Sequence, residues 1–382
     1  MITMIAMEYT IPRAAEKRLL AKLAARADLE ARRMERFLAL PDLSRQPTGP
    51  LSALVRQVSA MSQFKNFDLI QIPEIVPVDV SFDLFNFAPN HPARSRSDTY
   101  YVDEKNILRT HDTVMWYYYL NQPAVQKKIA NQEALGVLCY GKVYRKDEID
   151  RRHMNVFHQM GGLYLVPDRQ QRLVFDDLKK GLTAITKNLF GPQVNLRFNP
   201  DTFPYTNPSL EVEVETDGQW IEILGGGMPR PEVLANFGVR DYNGWAFGFG
   251  LERLAILSLD LPDIRLLWSI DPRVTRQLIL GQKYWPVSKY PVISRDISFV
   301  VPNTFVPNDY FDLIRDLGGD LVEEMALVDR YEDKAKWGAG RISYTYRIIY
   351  RSLDRTLTNT EINDLDQKIR ERTASEFSAE LR

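Results

Sequence analysis

Apolar residues recur at three- and four-residue spacing from residue 13 to 39: Leu19, Leu20, Leu23, Ala27, Met34 and Phe37, with Arg, Lys and Glu between them. This spacing predicts one amphipathic helix, packed by one face on the body or serving as an arm for a partner. Pro41, Pro47, Gly49 and Pro50 mark a linker. Leu54, Val55, Val58 and Met61 predict a second helix over 51–64, and 69–75 reads as a strand ended by Pro73 and Pro77. Alternation predicts strands at 99–103, 135–145, 157–166, 210–216 and 219–225. Helices are predicted at 170–190 and, after a glycine-rich strand, at 250–259. Residues 82–111 read as loop, with Phe82, Phe85 and Phe87 in it.

Beyond Pro286 the pattern changes to strand 293–302, helix 308–317, strands 325–332 and 341–351, and helix 358–373. That order is a split β-α-β unit of ferredoxin-like type. The expected organisation is an N-terminal helical arm (1–47), a central domain (48–285) and a C-terminal domain (286–382). The expected fold class is α+β: an antiparallel sheet flanked by helices, plus the ferredoxin-like domain. A parallel dinucleotide-binding sheet is rejected, because no glycine fingerprint closes a strand and opens a helix.

Composition narrows the classes. The 382 residues carry 49 Lys+Arg against 50 Asp+Glu, so any nucleic-acid surface must be local. The single cysteine, Cys139, excludes a disulfide scaffold and a cysteine zinc site. No run of 18 apolar residues occurs, so no membrane partner is expected. Met1 to Ala6 is too short for a signal peptide. Glu16, Asp28, Glu30 and Glu35 are unlike an organellar presequence. The expected location is therefore cytoplasmic; a mature protein of the mitochondrial matrix or another organelle is the alternative.

Three segments carry chemistry. In Gly141–His153, running on to Phe157-His158-Gln159, two apolar runs flank a charged connector, which reads as a hairpin. An arginine such as Arg145 could clamp phosphate there, and an aromatic on the return strand could stack a purine. A solvated hairpin tip is the competing reading. In Gly244–Leu254, alternating glycines let a ligand lie on a strand backbone. Arg253 then stands in the first turn of a helix, where a cation opposes the helix dipole and so points to a ligand. In Gln219–Gly227, Glu222 lies opposite Ile221 and Ile223; with Glu211 and Glu213 it could hold Mg²⁺ beside ATP phosphates, or simply form a solvated face.

Arg145 with Phe157, and Gly248-x-Gly250-x-Glu252-Arg253, resemble the second and third signatures of class II aminoacyl-tRNA synthetases. His91-Pro92-Ala93-Arg94, Leu108-Arg109-Thr110-His111, Val156-Phe157-His158-Gln159, Phe203-Pro204-Tyr205, Glu222-Ile223-Leu224-Gly225 and Asp263-Ile264-Arg265 narrow the resemblance to phenylalanyl-tRNA synthetases. Tyr290-Pro291, Arg295–Ser298 and Arg351–Thr358 resemble the anticodon-binding domain of that family, here directly after the catalytic part as in single-chain, organellar-type members.

The resemblance implies a ligase that joins L-phenylalanine to tRNA(Phe) through an adenylate, with ATP and Mg²⁺, as a monomer. Arg145 would hold the α-phosphate and the substrate carboxylate. Phe157 and Arg253 would sandwich adenine, His153 would contact phosphate, and Asp147 (where the family usually has Glu) would read the adenine amino group. Glu222 would hold Mg²⁺. His111, Thr113 and Gln159 would contact the backbone groups of phenylalanine. Phe203 and Tyr205 would wall its ring, and Ala246 would close the para position. The sequence departs from the family at Gly161, where a carboxylate for the substrate ammonium is usual; Asp112 and Glu211 are the nearest substitutes. Two alternatives stand beside the ligase: a paralogue making an adenylate for a non-tRNA acceptor, and a non-catalytic tRNA-binding protein.

Residues 286–382 hold 14 Lys+Arg and 17 Asp+Glu, a net of −3, so bulk attraction cannot hold RNA there. Arg347, Arg351 and Arg355 are the expected tRNA-binding stripe, with Tyr344, Tyr346 and Tyr350 available for base stacking. The 1–47 arm and the 142–153 hairpin are the other two basic patches expected to share a salt-sensitive tRNA affinity.

Overall fold

A computed structural model of the chain describes residues 7–286 and 290–382; Met1 to Ala6, read above as too short for a leader, lie outside them. Among the described residues, backbone contacts group those up to 144 with 156–258 as one unit, and 145–155 with those from 259 onward as a second. Segment 1–47 thus belongs to the first unit, and the hairpin connector groups with the C-terminal residues.

The first unit contains β1 (Glu8–Thr10), β2 (Asp68–Gln71), β3 (Ile75–Pro77), β4 (Tyr101–Asp103), β5 (Asn106–Leu108), β6 (Leu135–Tyr144), β7 (Val156–Pro167), β8 (Leu196–Asp201), β9 (Thr206–Thr216), β10 (Gln219–Pro229) and β11 (Tyr242–Gly250). Eight of them form a sheet in the order β1-β2-β6-β7-β11-β10-β9-β8. The pairs β1–β2 and β2–β6 are parallel and the others antiparallel. A smaller antiparallel sheet, β3-β5-β4, stands apart from it. One side of the large sheet is covered by helix Phe175–Phe190, which buries Leu178, Leu182 and Ile185. Leu178 and Leu182 come so close to Gly226 that a Cβ there would stand 3.2 Å from each. That packing leaves the other side of β7, β11, β10 and β9 to carry the site.

The periodic run over 13–39 is two helices, Ala14–Ala24 and Leu29–Ala39. Asp28 makes the break: its side chain accepts the Ala31 N–H at 2.9 Å and pairs with Arg26, so it caps the second helix. Both helices bury apolar residues (Leu23, Ala31, Met34 and Phe37), as a face packed on the body requires. The run 69–75 likewise splits into β2 and β3, with Pro73 between them. Strand β8 and helices Met115–Leu120 and Pro123–Ala130 were not legible from the periodicity.

The second unit holds β12 (Ile293–Pro302), β13 (Val322–Tyr331), β14 (Arg341–Tyr350) and the short β15 (Glu380–Leu381), in the order β13-β14-β12-β15. Helices Pro307–Gly318 and Asn359–Phe377 complete the expected ferredoxin-like order. Its core includes Ile297, Phe299, Tyr310, Tyr346, Ile348 and Ile369. The connector 145–155 is built into this unit, which overturns the solvated-tip reading. Ile149 is buried in the same core, and its carbonyl accepts the Met325 N–H at 2.9 Å. Asn155 donates to Asp312, Lys146 pairs with Asp309, and Arg315 donates to the carbonyls of Asp147 and Glu148.

The Asp28 carboxyl is held down to about 2, first by its bond from Arg26 and then by the Ala31 N–H. A depressed carboxyl stabilises above its unfolded value of 3.8 and loses that contribution as pH falls toward 2. Asp28→Ala is expected to cost about 1 kcal/mol near neutral pH, read from urea midpoints. The cost should fade in acid; an unchanged neutral midpoint would show that the second helix does not depend on this cap.

Candidate active site

Register places one row of residues side by side across six strands. Cys139 on β6 opposes Gly161 on β7, Gly161 opposes Gly248 on β11, Gly248 opposes Gly225 on β10, Gly225 opposes Glu211 on β9, and Glu211 opposes Asn199 on β8. Directly opposed residues share a face. The middle of the row is therefore a strip of bare backbone three strands wide, with a carboxylate at one end. Next to it runs a second row, Gln159 opposite Gly250, and on the other side Leu163, Ala246 and Gly227.

An aromatic wall stands over this floor. A Cβ at Gly225 would touch Phe203 at 3.0 Å. Phe203 stacks on Tyr205 (centroids 5.9 Å, planes 9° apart), and Tyr205 stacks on His111 at 6.3 Å. Phe87 lies near-parallel to His111 at 5.7 Å and also stands 6.1 Å from Tyr205, and Trp116 meets Tyr205 edge-on at 5.9 Å. His111 is thus buried beside a cluster of rings. Thr113 lies in the next turn, Asp112–Val114, whose first residue donates its N–H to Gln159 Oε1 at 3.1 Å. That bond uses the Gln159 oxygen and leaves the amide nitrogen as its donor end. Ala246 is buried in its row. The structure therefore brings together Gln159, His111, Thr113, Phe203, Tyr205 and Ala246. Phe87 and Trp116 join this wall and were missed; the Phe82-Phe85-Phe87 string was the signal for Phe87.

Beyond Gly225 the row is acidic. Strand β10 bulges between Glu222 and Leu224, so Glu222 opposes Glu213 and turns onto the face of Glu211 and Gly225. Arg253 pairs with the Glu222 carboxylate at 3.0 Å and donates to its carbonyl at 3.1 Å. Burial first, and then the charges of Glu222 and Asp201, raise the Glu211 carboxyl to about 7. Two facing carboxylates are a hard-oxygen set of the kind Mg²⁺ takes, completed by water or phosphate. Among the described residues no cluster of three or more His, Cys, Asp or Glu forms a cage.

The entry into helix Leu251–Leu259 is fixed from below. Glu252 is buried, and its carboxylate takes the His158 N–H at 2.8 Å and meets His158 Nδ1 at 2.6 Å. His158 Nε2 accepts the Leu43 N–H at 3.0 Å, so the ring proton sits on Nδ1 and is donated to Glu252. Glu252 thereby holds the helix start against β7 and sets where Arg253 leaves it. Phe157 precedes His158 on β7 and is half-buried.

Arg145, Asp147 and His153 lie in the connector of the second unit. Arg145 is exposed, and its N–H bonds to the Asn155 carbonyl at 3.0 Å, which closes the connector at its base. His153 Nδ1 pairs with Asp150 at 2.7 Å. Burial acts to raise the Asp150 carboxyl, yet His153 and two backbone N–H groups hold it below the usual range.

Each arginine of the expected RNA stripe holds a carboxylate. Arg347 is bidentate on Asp296 (2.8 and 2.7 Å), Arg351 pairs with Glu323 at 2.7 Å, and Arg355 pairs with Glu361. The stripe is charge-compensated. Tyr344, Tyr346 and Tyr350 are core residues, no more than 6% exposed, and cannot stack bases.

A family model described as tRNA synthetases class II core domain (F) matches residues 39–278, and one described as ferredoxin-fold anticodon binding domain matches 288–382. The chain is 38% identical over 332 residues to the chloroplastic/mitochondrial phenylalanine–tRNA ligase of Arabidopsis thaliana, covering 84% of this chain and 74% of that one. It is 35% identical over 338 residues to the mitochondrial phenylalanine–tRNA ligase of Mus musculus, covering 79% and 72%. The mitochondrial phenylalanine–tRNA ligase of Saccharomyces cerevisiae is 32% identical over 421 aligned positions, covering 88% and 87%.

The raised Glu211 carboxyl gives a signed pH dependence. Its contribution to stability is complete below the ordinary value of 4.5 and is lost as pH rises through about 7. Glu211→Gln keeps a neutral group at every pH. Melting temperatures of wild type and variant should therefore diverge in the variant's favour between pH 4.5 and about pH 8. Parallel curves would show that Glu211 is not crowded by its neighbours.

Proposed function

Because the chain belongs to the class II phenylalanyl-tRNA synthetases, we infer that it is a phenylalanine–tRNA ligase. It activates L-phenylalanine with ATP to phenylalanyl-adenylate and pyrophosphate, and then passes the phenylalanyl group to the 2′-hydroxyl of the terminal adenosine of tRNA(Phe). The observation that carries this reading is the bare strip Gly161–Gly248–Gly225, with an aromatic wall over it and carboxylates with Arg253 beyond Gly225.

The floor lets a flat, extended adenylate lie on backbone. Gln159, His111 and Thr113 orient the amino-acid end, Phe203 and Tyr205 face its ring, and Ala246 limits the para position. Phe157 and Arg253 take adenine between them, and Asp147 reads its amino group. Arg145 and His153 hold the phosphates, Arg145 also orienting the attacking carboxylate. Glu222, with Glu211, is the Mg²⁺ candidate; bound there, the ion would neutralise charge on the phosphate oxygens. For both steps the protein supplies mainly position and charge.

The C-terminal domain is the anticodon-binding module. Arg347, Arg351 and Arg355 serve RNA by exchanging a carboxylate for a phosphate, which makes the affinity modest and salt-sensitive. The Arabidopsis, mouse and yeast relatives are chloroplastic or mitochondrial ligases, and here one chain carries both the synthetase core and the anticodon-binding domain, so we assign the chain to the organellar, single-chain type, as a monomer; the cytoplasmic expectation finds no support in them. No helix among the described residues is long and apolar enough to cross a membrane. Nothing favours a non-tRNA acceptor or a non-catalytic role.

Arg145→Ala should lower phenylalanine-dependent pyrophosphate exchange by about 10²-fold or more, the effect of losing one oriented charge-stabilising donor. Near-wild-type exchange would remove Arg145 from the reaction.

A further inference from the structure

The substrate's ammonium group needs an anion inside this slot, because a buried cation must be paired. Gly161 has no side chain to offer one. We propose that Asp112 is the residue that receives the α-ammonium of phenylalanine, and that Gly161 is glycine so that the Asp112 carboxylate can occupy the space above it. This rests on the phenylalanine-ligase reading.

The geometry is specific. Asp112 is 4% exposed and opens the turn Asp112–Val114. Its own N–H is tied to Gln159 Oε1, two residues along β7 from Gly161 and on the same face. A Cβ built at Gly161 would fall well inside van der Waals contact of Asp112 Oδ2 and 2.9 Å from its Cγ. On the neighbouring strand, a Cβ at Gly248 would stand 3.4 Å from Oδ1 and 3.9 Å from Oδ2. The carboxylate thus lies over the Gly161–Gly248 pair, at the middle of the floor. Residue 161 and the Asp112 side chain are alternative occupants of one space. The carbonyl of Phe247, 2.9 Å from the same built Cβ, closes that space to any larger residue at 161.

Glu211 is the carboxylate that the row itself carries. It lies two strands beyond Gly248, about 10 Å away at ordinary strand spacing. It also sits beside Glu222 and opposite Asn199, in the acidic part of the sheet. It faces the phosphate end. Asp112 stands beside Gln159 and His111, where the amino-acid backbone belongs, and its charge reaches Cys139 at the head of the row.

The test separates the ammonium from every other part of the ligand. L-phenylalaninol and 3-phenyl-1-propanol differ only in that group, and both can be assayed as competitive inhibitors of pyrophosphate exchange by the full chain. Asp112→Asn is nearly isosteric. It should raise the inhibition constant of phenylalaninol, and the KM for phenylalanine, by about 10²-fold, the range for removing one member of a buried charge pair. The constant for 3-phenyl-1-propanol and the KM for ATP should stay within about threefold. Gly161→Ala retains the carboxylate but displaces it, and should raise the phenylalaninol constant alone by about 10-fold; it carries the test if Asp112→Asn does not fold. Equal changes for both alcohols, or no change for phenylalaninol in either variant, overturn the assignment. Wild type that exchanges pyrophosphate with another amino acid and not with phenylalanine overturns the ligase reading, and this assignment with it.

Discussion

Everything in the site depends on backbone being bare along one line of the large sheet. Three glycines on three adjacent strands meet only if the registers of β7, β11 and β10 all hold. A slip of one residue in any strand would turn its side chains to the opposite face and put a side chain into the line. Those registers are fixed from the back, where Leu178 and Leu182 of helix Phe175–Phe190 seat on Gly226, and along the strands by buried Leu163, Leu165, Phe247 and Phe249. The hydrophobic core thus does more than stabilise the unit; it aligns the glycines.

Charge is distributed along the same line. Asp112 stands over its middle, and Glu211 and Glu222 close its far end with Arg253 as counter-ion. The two carboxylate groups differ in environment. Asp112 is enclosed by protein, whereas Glu211 and Glu222 are half-buried and repel one another. An enclosed carboxylate suits a single organic cation; a crowded, partly solvated pair suits a hydrated divalent ion. Beneath both, His158 and Glu252 lock the start of the last helix of the unit in one tautomer and one position.

Much of this was legible in the sequence because the site is made of short contiguous strings. Phe157-His158-Gln159 sits on one strand, and Gly248-x-Gly250-x-Glu252-Arg253 runs without a break from β11 into the helix that follows, so their spacing survives folding. The ferredoxin-like order was readable for the same reason. What was hidden depends on contacts between distant segments. No periodicity could place the connector 145–155 with residues 259–382, since Ile149 finds its core there. The break at Asp28 lay inside an uninterrupted helical period and needed the cap bond to be seen. The tyrosines of β14 were misread although the signal was present: Ile342, Tyr344, Tyr346, Ile348 and Tyr350 alternate strictly, the mark of a core-facing row. Asp112 could be named only as one of two candidates, because the space above Gly161 exists only after three strands have paired.

The most direct test of this account is a crystal structure of the chain with a non-hydrolysable phenylalanyl-adenylate analogue. The analogue should lie along Gly161, Gly248 and Gly225, with its ring between Phe203, Tyr205 and Ala246 and its ammonium at Asp112. An analogue bound away from the glycine line, or reversed along it with adenine at the aromatic slot, would contradict the account at its root.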